Sequence, residues 1–177
     1  MPARIFISIL ILSLSLHVPA QKFITIQTWD TDSLLSVLPG QLAEERVLTL
    51  NRLVASLFFH DHTLSLKYAD SAMALARQLK YEEGLAGAFR NYGHIYFYLG
   101  NYPESLKNYF EALSVYERMG RLHDAMMGYY HIAKTHFMAG NYQATLRYGF
   151  RAMELCRRPL KERGTVGGVR DSITFDG

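Results

Sequence analysis

Residues 100–110 read GNYPESLKNYF and residues 140–150 read GNYQATLRYGF. A Gly-Asn-Tyr turn followed by an aromatic-rich helical pattern therefore recurs after forty positions. Shifting the whole chain by the same amount brings out a third copy. Leu66, Leu106 and Leu146 correspond, as do Lys67, Lys107 and Arg147. Ala72, Ala112 and Ala152 precede Met73, Leu113 and Met153, and Leu57 matches Phe97 and Phe137. Asp61 aligns with Asn101 and Asn141, and Ser65 with Ser105 and Thr145. A fixed period of this kind marks stacked supersecondary units, none of which buries its apolar face alone.

Each copy reads as helix, turn, helix. In the second, GLAGAFRNYGHIYFYLG carries apolar residues at three- and four-residue spacing, which builds one buried helical face. Gly100 ends that helix, Asn101 caps the next, Pro103 is tolerated in its first turn, and Glu104 completes a capping-box spacing. Gly140-Asn141 repeats this punctuation, whereas His60-Asp61 keeps only the capping residue. The predicted helices span 41–59, 63–80, 84–99, 102–119, 122–139 and 142–158. Before them, residues 21–40 form a lead-in. It holds one short helix capped by Asp32 or Ser33, stopped by Pro39-Gly40, with Leu34, Leu35 and Leu38 free to dock on the first hairpin.

These residues carry a resemblance. Asn91, Gly93, Tyr96, Gly100, Tyr102, Ser105, Tyr109, Ala112 and Leu113 resemble the tetratricopeptide repeat signature, in which small residues let two helices approach and aromatics plug the space between hairpins. The third copy departs from it at Ala133, His136 and Gly149, and the first, with Leu53, Ser56 and Ala69, departs most. The period exceeds the ~34 residues usual for that family, and HEAT-type helical repeats are the competing assignment. The resemblance covers residues 41–158, divided 41–80, 81–120 and 121–158, and implies an all-α superhelical solenoid of about three hairpins. The whole layout is similar to the extracytoplasmic input regions of bacterial histidine kinase-type sensors.

Composition bounds the function. Half the residues are hydrophobic, at 49%, and the net charge is +3. The excess sits in Arg157, Arg158, Lys161, Arg163 and Arg170, so the body is neutral and offers no basic face for nucleic acid. The single cysteine, Cys156, supports neither an internal disulfide nor a cysteine-based zinc site. His60-Asp61-His62 resembles a metal motif, but adjacent turn residues rarely converge on one ion and Asp61 is needed as a cap. His131 and His136 fall on different helix faces. No phosphate loop or nucleophile elbow is present. The sequence therefore predicts no metal, no cofactor and no catalysis.

The ends carry further expectations. Residues 1–20, MPARIFISILILSLSLHVPA, place Arg4 before an apolar stretch from Ile5 to Leu16, with Val18-Pro19-Ala20 after it. That is the layout of a secretory signal peptide cleaved near Ala20. The apolar run of about twelve residues is short of the ~20 that span a bilayer; an uncleaved anchor is the alternative. The mature chain is expected to be periplasmic or extracellular, without a membrane span. Residues 159–177 lose the helical period and read either as a disordered tail or as the mark of a truncated or frame-shifted array. Either way Leu146, Phe150 and Met153 are left partly uncovered, which implies self-association through that end.

The resemblance also places the binding surface. The first helix of each hairpin lines the concave groove, with Val54, Leu57 and Phe58 in the first copy. The second copy contributes Arg90, His94, Phe97 and Tyr98, and the third Tyr130, Lys134, Phe137 and Met138. Such a basic and aromatic groove implies a protein or peptide partner carrying acidic and apolar residues. A structural envelope assembly factor is the other reading.

Overall fold

The computed structural model describes residues 30–157. Within them seven α-helices follow one another: α1 (Thr31–Val37), α2 (Ala43–Leu57), α3 (His62–Leu79), α4 (Glu82–Tyr98), α5 (Tyr102–Arg118), α6 (Leu122–Met138) and α7 (Tyr142–Cys156). No strand occurs among the described residues. The three hairpins α2–α3, α4–α5 and α6–α7 stack in order, giving an all-α solenoid. The ends of α2 to α7 fall within two residues of the spans read from the sequence. The expected signal peptide at 1–20, the first part of the lead-in and the tail 159–177 lie outside the described residues.

Local chemistry explains the punctuation. Asp61, Asn101 and Asn141 each accept a hydrogen bond from the backbone N–H three residues on, at 2.8, 3.3 and 3.1 Å. Such a cap stabilises a helix by about 1 kcal/mol. The capping box is only half formed. Glu104 reaches Lys107 instead of returning to Asn101, because the Asn101 N–H already donates to the Tyr96 carbonyl at 2.9 Å. That bond, together with Gly100 N–H to Phe97, closes α4 with a left-handed residue, Gly100 at φ +72.

The lead-in differs from expectation in two details. Asp30, not Asp32 or Ser33, caps α1, taking the Ser33 N–H at 3.2 Å and its hydroxyl at 2.6 Å. Leu34 is buried and Leu38 packs on the first hairpin, but Leu35 is exposed. The helix is only seven residues long, so one face covers α2 and its other side stays in water. Thr31 Oγ1 donates to Ser56 Oγ at 3.0 Å, which sets α1 antiparallel to α2.

The core threads through the stack as linked clusters. Leu50, Ala72, Met73 and Ala88 join the first two hairpins, and Ala86, Tyr109, Ala112, Leu113 and Ile132 join the second to the third. Small residues set the spacing: a methyl group placed on Gly93 would fall 2.5 Å from the Tyr109 ring. Tyr109 fills the space inside the α4–α5 hairpin and also stacks on His131 of the next one, at 5.2 Å. No helix among the described residues is long and apolar enough to cross a membrane.

Candidate functional site

The first helices α2, α4 and α6 touch one another across hairpins, and the character of their contact changes from one rim to the other. At their N-terminal rim the contact is ionic. Arg121, which precedes α6, bridges Glu83 on α4 and Asp124 on α6, both at 2.8 Å, and within the second hairpin Arg118 of α5 pairs with Glu82 of α4 at 2.9 Å. All acidic residues of these three helices lie in the first turns, as Glu44, Glu45, Glu82, Glu83 and Asp124.

The middle is polar and buried. Asn91 Nδ2 donates to both the carbonyl and the side-chain oxygen of Asn51 at 3.0 Å, and Asn51 donates to the Gly84 carbonyl at 3.1 Å. In the forty-residue register the next member is His131, where the amide ladder gives way to imidazole. His131 meets His94 edge-on with ring centroids 4.6 Å apart and stacks on Tyr109 at 5.2 Å. Tyr109 Oη and His94 Nδ1 share a 2.8 Å hydrogen bond. Burial, then the neighbouring His131, Arg90 and Lys134, hold the His94 ring well below its ordinary pKa of 6.5. His131 is lowered to about 4 by burial, then by Arg90 and Lys134. Burial also pushes the Tyr109 phenol up.

The C-terminal rim is aromatic. Phe58 lies 5.3 Å from His94 and 5.4 Å from Tyr98, and Phe59 4.7 Å from Tyr98. Lys134 crosses from α6 to place Nζ 4.4 Å from the Phe97 centroid and 5.7 Å from that of Tyr98. Each cation–π contact of this kind contributes about 0.5–1 kcal/mol at an exposed site. Phe97 and Phe137 turn over the hairpin ends onto Tyr102 and Tyr142, at 6.0 and 5.9 Å. Tyr130 packs edge-on against His131 with half its surface in solvent.

Arg90, His94, Phe97, Tyr98, Tyr130 and Lys134 thus form one seam between α4 and α6. Phe137 and Met138 sit beyond it at the exposed rim. Val54 is not a groove residue: it is fully buried with Ala69 and Ile95, because α3 and α4 close over that side of α2. Phe59, Tyr109 and His131 were not among the expected groove residues. For His131, the register shared with Asn51 and Asn91 was the available signal. His136 stacks on Tyr148 at 5.4 Å, away from this seam.

Two features set the chemistry of the seam. After its first turn neither α4 nor α6 carries a carboxylate, and among the described residues none pairs with Arg90 or Lys134. Beside these cations, the exposed rings of Tyr98 and Tyr130 present flat apolar area that costs little entropy to fix. Among the described residues no three His, Cys, Asp or Glu side chains converge as a metal site, and Asp61 of the His60-Asp61-His62 turn serves as a cap.

A tetratricopeptide repeat family model matches residues 84–158, the second and third hairpins, which also contain the seam. No curated protein matches the chain.

Proposed function

We propose that this chain is an exported, non-catalytic scaffold whose concave face binds a peptide or protein segment carrying acidic and apolar residues. The match over residues 84–158 supports the coarser part, since tetratricopeptide repeats generally mediate protein–protein interaction. The observation that carries the finer part is the seam itself. Lys134 stands over the Phe97 and Tyr98 rings, and among the described residues no carboxylate pairs with it or with Arg90. An acidic side chain supplies the missing charge, and an adjacent aromatic or aliphatic side chain covers Phe97, Tyr98 and Tyr130. The layout of residues 1–20 supports export, and the role that fits is the input part of an envelope signalling protein.

A peptide panel tests this reading. Acidic–aromatic peptides are expected to bind more tightly than basic–aromatic ones of equal length. Arg90→Glu/Lys134→Glu is expected to reverse that preference while helicity by circular dichroism is retained. Equal affinity for both peptide classes in the unmodified chain overturns the proposal.

A second reading is favoured by α7, where Leu146, Phe150 and Met153 are exposed on one face at spacings of four and three. It makes the chain a structural envelope factor that self-associates through its last hairpin.

A further inference from the structure

We propose that the His94–His131 pair couples the groove to protons, so that an acidic segment binds together with a proton taken from solvent. This rests on the groove reading and names its regulation. The geometry comes first. Two imidazoles touch at 4.6 Å in the zone where α4 and α6 meet, and an imidazole is the side chain whose ordinary titration lies nearest neutrality.

The groups facing them are few. On α4, Arg90 lies one turn before His94. On α5, Tyr109 bonds His94 Nδ1 and stacks on His131. On α6, Lys134 lies one turn after His131 and the Tyr130 phenol packs edge-on against it, and from α2 Phe58 adds an uncharged ring. No carboxylate is among these groups, so nothing in the seam offsets an imidazolium, and both rings stay neutral in the free protein.

A carboxylate seated between Arg90 and Lys134 changes that balance. Burial, the larger cause of the lowered values, persists in the complex; the carboxylate offsets the Arg90 and Lys134 charges and supplies the counterion the seam lacks, which shifts the balance toward the imidazolium. The sign follows from linkage: a group whose pKa is higher in the complex than in the free protein takes up a proton on binding, and affinity rises as pH falls. If one imidazole returns to its ordinary value near 6.5, affinity rises about tenfold between pH ~7.5 and ~5.5. Aspartate, with a reference value near 3.9, stays ionised throughout that window.

The probe is a fluorescein-labelled peptide of alternating Asp and Phe, titrated with the full chain and read by anisotropy. Its affinity is expected to rise about tenfold over that range, and calorimetry in two buffers of different protonation enthalpy is expected to show net proton uptake. An Asn–Phe peptide is expected to bind without pH dependence. His131→Phe, which preserves a ring against Tyr109, is expected to flatten the profile. The calorimetric arm uses the unmodified chain and stands whether or not that variant folds. Binding with constant affinity and no proton uptake overturns the coupling alone. Absence of Asp–Phe binding at every pH overturns the groove reading with it.

Discussion

Gly93 and Gly149 make opposite demands on the same kind of substitution. A methyl group on Gly93 would lie 2.5 Å from two carbons of the Tyr109 ring, which is only 2% exposed and held by His94 and His131. The ring has nowhere to retreat, so Gly93→Ala is expected to destabilise the fold by about 1–3 kcal/mol. Gly149 occupies the register of Tyr109 one repeat later, and no atom lies within 4 Å of a methyl placed there. There Gly149→Ala is expected to stabilise α7 by about 0.5–1 kcal/mol. Thermal melts followed by circular dichroism decide this; shifts of the same sign in both variants would contradict it. The need for a small residue at 93 was legible in the sequence, because periodicity fixes where helices approach. The ring that fills the space was only partly legible, since Tyr109 meets His94 and His131 through three helices distant in sequence. Val54 shows the limit. It shares the register of His94 and Lys134, yet it packs with Ala69 and Ile95, because register does not determine which neighbours close over a helix.

At the level of the elements, the turns between hairpins obey one rule and break it once. Gly120 closes α5 in the left-handed region at φ +67, and Lys80 closes α3 at the same register with φ +54. Both accommodate the same terminal bond: Arg121 N–H to the Tyr116 carbonyl at 2.9 Å, and Tyr81 N–H to that of Ala76 at 2.9 Å. A lysine in this conformation carries a steric cost that glycine avoids. Lys80→Gly is therefore expected to raise stability by about 0.5–1 kcal/mol, measured as a higher denaturant midpoint at unchanged slope. An unchanged or lower midpoint would show that the Lys80 side chain contributes more than its backbone strain removes. Helix positions were legible because glycine, asparagine and aspartate mark ends through backbone chemistry that acts locally. The lead-in was less so: Asp30, Asp32 and Ser33 are all competent caps, and only the docking of Leu34 on α2 selects the first.

For the whole molecule, the two ends of the stack are unlike. α1 covers the front of α2, whereas α7 exposes more of its apolar face than its counterpart α5 does. Leu113 on α5 is 5% exposed beneath α6, while Met153 at the same register is 47% exposed and Phe150 61%. An apolar stripe of this kind favours association, and α7 sets a condition on it. Arg147, Arg151 and Arg157 outnumber Glu154, which pairs with Arg151 at 2.8 Å, so two such faces repel at low ionic strength. Salt screens that repulsion without weakening apolar burial. Sedimentation velocity is expected to show self-association that grows with both protein concentration and salt. Phe150→Lys/Met153→Lys is expected to remove it and leave peptide affinity in the seam unchanged. Binding of the proposed acidic segment in the groove is expected to have the reverse salt dependence, because screening weakens its attraction to the seam cations. A monomer at every salt concentration, or association that survives the double substitution, would remove α7 as an assembly surface and leave the seam as the only proposed contact.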